Sequence, residues 1–146
     1  MKIIPNGEKT MQMKILVIDD EREIIDMVVR NFTMHGYDIE GVTSPKKALE
    51  MIERGNYRII ISDIVMPEIN GVDLIKKIKS IDGTIQIIMI TGYVTIQNIV
   101  SCLSRGANDC LFKPFVFEEL KNSVDESIRK LNRWHKVIES LNKIKV

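Results

Sequence analysis

Four short apolar segments of this 146-residue sequence each end at a side chain that could bind a cation or an anion. Asp19 and Asp20 follow the first segment, Asp63 follows the second, Thr91 ends the third and Lys113 ends the fourth. Because the carboxyl ends of parallel strands meet at one edge of a sheet, we expect these side chains to lie together. The group would then combine carboxylates, a hydroxyl and an ammonium.

These residue types are the ones that phosphoryl chemistry requires. Neighbouring carboxylates repel one another unless a cation is present, and a hard cation with oxygen ligands, most simply Mg²⁺, would meet that need. Asp63 could act as a nucleophile and form an aspartyl-phosphate, while Lys113 and Thr91 would supply charge and a hydrogen-bond donor. Taken singly, Asp20 could cap a helix, Asp63 and Thr91 could begin turns, and Lys113 could be an ordinary surface lysine. Their joint occurrence favours the phosphoryl interpretation.

The pattern between these residues predicts five strands that alternate with five helices, an α/β fold. Several of the strands are apolar at consecutive positions, as expected for a parallel sheet that is covered on both faces, whereas 37–42 alternates like an edge strand. The predicted strands are 14–18, 37–42, 57–62, 86–91 and 109–113. Ser44 and Pro45 are typical of a helix start, and Gly36, Gly55 and Gly106 of helix ends.

Composition limits the possible classes of protein. The length fits one globular domain, the formal net charge is +1, and no apolar run approaches the roughly 20 residues that span a bilayer. The amino terminus lacks the features of a signal peptide. Cys102 and Cys110 have no CxxC spacing, so a zinc site is not expected and a reduced, cytoplasmic chain is. Residues 1–12 are predicted to form a flexible arm.

Four motifs in this order resemble the receiver domain of bacterial two-component response regulators. They are "ILVIDDE", "IIISDIVMPEINGVDLIKKIK", "IIMITGY" and "GANDCLFKPF". The resemblance covers residues 13–127 and implies a flavodoxin-like, doubly wound, five-stranded parallel sheet of order 2-1-3-4-5 with five helices. It also implies a signalling function, in which a histidine kinase or phosphotransfer protein donates a phosphoryl group and the domain switches conformation.

The resemblance assigns roles to individual residues. Asp63 would be the phosphoacceptor, Asp20 would bind Mg²⁺ directly and Asp19 would act through water. The backbone carbonyl of Val65 would complete the protein's share of the metal shell. Lys113 would pair with Asp63 and then with the phosphoryl group.

Two further features follow from the same resemblance. Thr91 would turn to hydrogen-bond the phosphoryl oxygen, and the Lys113–Pro114 peptide would be cis. The sequence departs from the family at Cys110, where a Tyr or Phe is usual. The coupling between Thr91 and the side chain at this position is therefore expected to be weak. Val65 and Tyr93 flank the site, and we expect the ring of Tyr93 to slow hydrolysis of the aspartyl-phosphate.

The last helix is predicted to continue past the domain as an extension, residues 128–146. Apolar residues recur along it in alternating steps of three and four, which is typical of an amphipathic or coiled-coil helix. They are Phe117, Leu120, Val124, Leu131, Trp134, Ile138 and Leu141, with Ser127 at one seam position. A homodimeric coiled coil is the first interpretation. The alternatives are that the helix folds back on the domain, that it docks on a kinase or another protein, or that it is a solvated face. The residues from Arg129 onward carry a net charge of +5.

The extension is too short for a DNA-binding domain, so none is expected in this chain, although binding of nucleic acid or an anionic membrane stays open. The chain could also be an excised receiver and linker helix from a longer regulator. "ITGY" and the projecting helix are similar to those of enhancer-binding transcription regulators. The sequence does not decide between these origins.

Three other functions are weighed against the signalling interpretation. A phosphohydrolase with an aspartyl nucleophile needs a second acid two residues later, where this chain has Val65. A nucleotide- or flavin-binding domain would need a glycine-rich phosphate loop, and neither GxGxxG nor GxxxxGK[ST] occurs. A phosphorylation-independent scaffold or dimerisation module would not need the intact set of Asp19, Asp20, Asp63, Thr91 and Lys113. The chain is therefore expected not to be a turnover enzyme.

Overall fold

A computed structural model describes residues 2–3, 9–10, 13–92 and 95–144, and its main sheet has five parallel strands. We number them β1 (Lys14–Ile18), β2 (Asp38–Val42), β3 (Tyr57–Asp63), β4 (Gln86–Thr91) and β5 (Asp109–Phe112). Their order across the sheet is β2-β1-β3-β4-β5. The predicted 2-1-3-4-5 topology and the edge position of 37–42 are both confirmed.

Five helices connect or follow the strands, as predicted. They are α1 (Arg22–Met34), α2 (Pro45–Arg54), α3 (Gly71–Ile81), α4 (Ile96–Ser104) and α5 (Phe117–Ile144). Side chains cap three of them: Ser44 accepts from the backbone N–H of Lys47, Asn70 from Val72, and Thr95 from Asn98. Each bond satisfies one N–H group that the helix itself leaves unpaired.

The apolar strands separate two hydrophobic layers. Leu16, Ile60 and Ile87 belong to the layer packed with α2 and α3, whereas Ile59 and Ile88 belong to the layer packed with α1 and α5. Consecutive isoleucines are therefore buried on opposite faces, because side chains alternate along a strand. Burying each such side chain contributes about 1.5–3 kcal/mol, and this packing fixes the strand ends that hold the polar residues.

Helix α5 is a single helix of 28 residues, so the predicted extension is confirmed as helical through Ile144. The part of α5 up to Leu131 is packed against the domain: Leu120, Val124 and Leu131 are buried. Polar bonds add to this packing, since Tyr37 donates to Asp125. Beyond Leu131 the seam side chains are exposed, by 38% at Trp134, 57% at Ile138 and 60% at Leu141.

A separate pair of two-residue strands lies near the amino terminus, where Lys2–Ile3 pairs antiparallel with Lys9–Thr10. The other residues of 1–12 lie outside the described residues, so the flexible arm stays a prediction. Among the described helices, none is long and apolar enough to cross a bilayer.

Candidate functional site

The predicted site residues meet at the carboxyl edge of the sheet. Strands β1 and β3 are neighbours in register, with Ile18 beside Ser62, so Asp19 and Asp63 follow at the same level. Both carboxylates are enclosed: Asp19 is fully buried and Asp63 is 6% exposed. Asp63 is the last residue of β3, which explains why a buried isoleucine run ends on an acid.

Lys113 reaches both buried carboxylates from the outer strand. Its Nζ donates to Asp19 Oδ2 at 3.0 Å and to Asp63 Oδ2 at 3.0 Å. Its backbone N–H donates to the carbonyl of Thr91 at 2.8 Å, which aligns the start of the β5–α5 loop with the end of β4. The Lys113–Pro114 peptide is cis, as predicted. The ammonium thus links three strand ends.

Burial and charge oppose each other in this group. Burial raises the pKa of Asp19, and it does so against the lowering effects of the Glu21 backbone N–H and of Lys113. Burial alone would lower the pKa of Lys113, but its bonds to Asp63 and Asp19 outweigh burial and raise that pKa above its ordinary value. The lysine therefore stays an ammonium at neutral pH and favours the charged carboxylates.

The carboxylates outnumber the ammonium. Asp19, Asp20, Glu21 and Asp63 each offer an oxygen, and these oxygens lie within 4.8 Å of one another. Asp20 and Glu21 are exposed, so the cluster is open to water on one side. All-oxygen donors, an excess of negative charge and access for water fit Mg²⁺, which keeps several of its waters.

The loop that follows Asp63 is held tightly against the strand. The N–H of Val65 donates to Asp63 Oδ1 at 3.2 Å, and the N–H of Gly71 donates to the carbonyl of Ile64 at 2.8 Å. A Cβ at position 71 would lie 2.6 Å from Ile64 Cα. Only glycine permits this approach without a backbone shift, so Gly71 fixes the residues that shape one wall of the site.

The remaining predicted residues occupy different positions around the site. Thr91 is buried at the end of β4, and the Val65 side chain is 54% exposed. Tyr93 lies outside the described residues. Cys110 is partly buried against the core that contains Cys102, and burial, with Cys102 and Asp109 nearby, raises the pKa of its thiol to about 11.

The sequence-based assignment did not predict a partner for Glu21. Its Oε1 lies 3.5 Å from Lys113 Nζ, and its N–H donates to Asp19 Oδ1 at 2.9 Å. Glu21 is also the N-cap residue of α1, yet its side chain makes no cap hydrogen bond. Adjacency to the two aspartates was the available signal, but exposed acids beside a helix start are common.

Comparison with known proteins agrees with this geometry. The family model described as the response regulator receiver domain matches residues 15–125. The chain is 31% identical over 121 residues to the response regulator SaeR of Staphylococcus aureus, which covers 83% of this chain and 53% of SaeR. It therefore spans about half the length of the curated relatives that it matches.

Solved structures of receiver domains are also similar to this chain. A CheY-like receiver domain protein from Methanospirillum hungatei aligns with a TM-score of 0.79 at 27% identity, over 82% of this chain and 96% of that one. The beryllofluoride-activated NtrC4 receiver domain dimer aligns with a TM-score of 0.77 at 26% identity, over 80% of this chain and 97% of that one.

Proposed function

Since the chain belongs to the response regulator receiver domains, whose general function is to accept a phosphoryl group, we propose that it accepts this group on Asp63 from a histidine kinase or phosphotransfer protein. The observation that supports the proposal most strongly is the position of Lys113, 3.0 Å from both Asp63 and the buried Asp19. The proposal includes Mg²⁺ as the cofactor, a change of conformation as the output and the cytoplasm as the location.

The proposed metal site uses carboxylates and one backbone carbonyl. Asp20 and Asp63 would hold Mg²⁺ with the Val65 carbonyl, and Asp19 would act through a water molecule. When bound, the cation would neutralise charge on the phosphoryl oxygens. The described carboxylates of Asp19, Asp20 and Asp63 lie close enough together to share one ion.

The transfer step uses the carboxylate of Asp63 as nucleophile. One of its oxygens would attack the phosphorus of a phosphohistidine, so that a P–O bond forms as the P–N bond breaks and the imidazole leaves with the electron pair. The Lys113 ammonium would move from the free carboxylate to a phosphoryl oxygen. The Thr91 hydroxyl would donate a hydrogen bond to another, and this rearrangement begins the switch.

The domain is proposed to catalyse only its own phosphorylation and dephosphorylation. A turnover phosphohydrolase would need an acid at position 65, where the exposed side chain is valine. The phosphorylation-independent scaffold is the competing function, and the intact Asp19–Lys113–Asp63 contacts speak against it. The test is intact-mass analysis after incubation with Mg²⁺ and acetyl phosphate. One added phosphoryl group is expected in the wild type and none in Asp63→Asn.

We also propose that the second half of α5 forms a parallel coiled coil with a second copy of the chain. Ile138 and Leu141 occupy successive a and d positions, the arrangement that favours two strands, and both are more than half exposed. The NtrC4 receiver domain is described as a dimer. Because the exposed part of α5 makes no packing contact that buries its seam, folding back on the domain is disfavoured within the described residues.

Sedimentation velocity over a concentration series tests this dimer. Leu141→Glu places a charge in the seam and is expected to yield monomers at every concentration, whereas Ser140→Glu, on an exposed outer position of the same turn, is expected to behave like the wild type. A wild type that stays monomeric with and without phosphorylation would overturn the proposal. Docking of this helix on a kinase or another protein would then be the favoured alternative.

A further inference from the structure

Glu21 occupies an unusual position for a helix N-cap residue. Its extended backbone places it directly before α1, where a short polar side chain such as Asp, Asn, Ser or Thr would normally accept a hydrogen bond from the first turn. The side chain makes no such bond and lies instead with Oε1 3.5 Å from Lys113 Nζ. It is 62% exposed, whereas the other two carboxylates that contact this ammonium, Asp19 and Asp63, are almost fully enclosed.

A divalent cation bound at the cluster would compete with the ammonium for the same carboxylates. Lys113 Nζ contacts Oδ2 of Asp63 and Oδ2 of Asp19, and a cation bound at the carboxylate cluster would draw on the same charges. Cation binding must therefore loosen the ammonium from Asp63. Asp19 and Asp63 are enclosed at strand ends, so their carboxylates have little room to follow an ammonium displaced toward solvent.

Glu21 can follow it. Its side chain is on the open side of the cluster and has three rotatable bonds, while its backbone N–H is bonded to Asp19 Oδ1 at 2.9 Å, which keeps the residue beside the pocket. We infer that Glu21 is a positioning residue. It retains the Lys113 ammonium at the mouth of the site when a divalent cation takes Asp63, and so strengthens cation binding. The inference rests on the proposed function, because it assumes that the cluster binds such a cation.

Calorimetric titration of the full chain with MgCl₂ at constant ionic strength tests the inference without any phosphoryl transfer. Glu21→Gln is expected to raise the dissociation constant for Mg²⁺ about tenfold, the low end of the effects seen when a residue that supports metal ligands is removed. The matched control is Glu23→Gln, which removes the same charge from the exposed first turn of α1. It is expected to change the constant less than about twofold, since exposed charges are screened.

The same pair of variants in a Lys113→Gln background separates positioning from simple charge attraction. If Glu21 acts through the ammonium, the effect of Glu21→Gln falls in that background to the level of Glu23→Gln. Equal effects of the two variants in the wild-type background, or an undiminished Glu21 effect without Lys113, would overturn the inference alone. A wild type that binds no Mg²⁺ would overturn the proposed function and the inference together. Circular dichroism of each variant checks that the fold is retained.

Discussion

Lys113 Nζ and Asp63 Oδ2 lie 3.0 Å apart although 50 residues separate them in the sequence. They come from the ends of β5 and β3, with β4 between them, so the contact depends on the order of the strands. The same ammonium also contacts Asp19, which is fully buried. One positive charge thus stabilises two enclosed negative charges.

Replacing this ammonium should destabilise the domain and increase its response to Mg²⁺. Lys113→Met leaves two enclosed carboxylates without a cationic partner, and we expect the free energy of unfolding to fall by about 2–3 kcal/mol. Mg²⁺ should then stabilise the variant more than the wild type, because the cation no longer competes with an ammonium. Urea unfolding with and without Mg²⁺ measures both effects.

Lys76→Met, at an exposed position of α3, is the control and should leave stability and the Mg²⁺ response nearly unchanged. An equal stabilisation of Lys113→Met and wild type by Mg²⁺ would contradict competition between the two cations.

A methyl group at position 71 should disturb the wall of the site. The Cβ of Gly71→Ala would lie 2.6 Å from Ile64 Cα and 2.7 Å from its carbonyl oxygen, so the backbone must shift. We expect a loss of about 1–3 kcal/mol in stability, as for other overpacked positions. Phosphorylation by acetyl phosphate should also slow, since Ile64 directly follows Asp63.

Gly83→Ala is a matched control, because the nearest atom to its Cβ would be the Lys79 carbonyl oxygen at 3.9 Å. Its stability should be unchanged or higher by about a few tenths of a kcal/mol. Equal losses of stability in the two variants would contradict the assignment of the effect to the close contact with Ile64.

An aromatic ring at position 110 should strengthen the response of the α4–β5 surface. Cys110 is small and packs against the core that contains the buried Cys102, so we expect its side chain to move less than a ring would. We expect beryllofluoride to cause larger amide chemical-shift changes over residues 95–112 in Cys110→Tyr than in the wild type. If beryllofluoride caused equally large chemical-shift changes over residues 95–112 in the wild type and in Cys110→Tyr, weak coupling between the site and this surface would be ruled out.

The Asp82 carboxylate should contribute to stability in the acid range. Hydrogen bonds from the Thr84 side chain and backbone, with Arg58 nearby, lower the pKa of Asp82 from 3.8 to about 2. A lowered folded-state pKa means that the stabilisation is present above pH 3.8 and is lost as the pH falls toward about 2. Asp82→Asn should therefore lose less stability than the wild type between about pH 5 and about pH 2.

Unfolding by urea at several pH values gives this difference, and Asp73→Asn, at an exposed position of α3, is its charge-matched control. If the variant and the wild type lost the same free energy across that range, the bonds to Asp82 would not favour its charged form.

The sheet and its polar edge were predictable because both depend on local pattern. Apolar runs such as 57–62 had to be buried on both faces, and parallel pairing then brought Asp19, Asp63 and Lys113 together. Sequence reasoning also predicted the long last helix. These features follow from alternation and hydrophobicity, which a single sequence displays.

Other features depend on distances between segments that no sequence pattern encodes. Apolar residues recur with the same spacing in both halves of α5, yet Val124 is buried and Ile138 is exposed, because the domain surface ends between them. The close contact of Gly71 with Ile64 and the contact of Glu21 with Lys113 likewise required the folded chain.

The most direct test of the account is to locate the phosphoryl group. The wild type, Asp63→Asn and Asp20→Asn would be incubated with acetyl phosphate, with and without Mg²⁺, and their intact masses measured. Each sample would then be reduced with borohydride, which converts an aspartyl-phosphate to homoserine. Peptide mapping locates the homoserine in the sequence. We predict one phosphoryl group per wild-type chain and homoserine at position 63. Almost no phosphoryl group is expected without Mg²⁺ or in either variant. A folded wild type that gains no phosphoryl group, or gains it at another residue, would contradict the account.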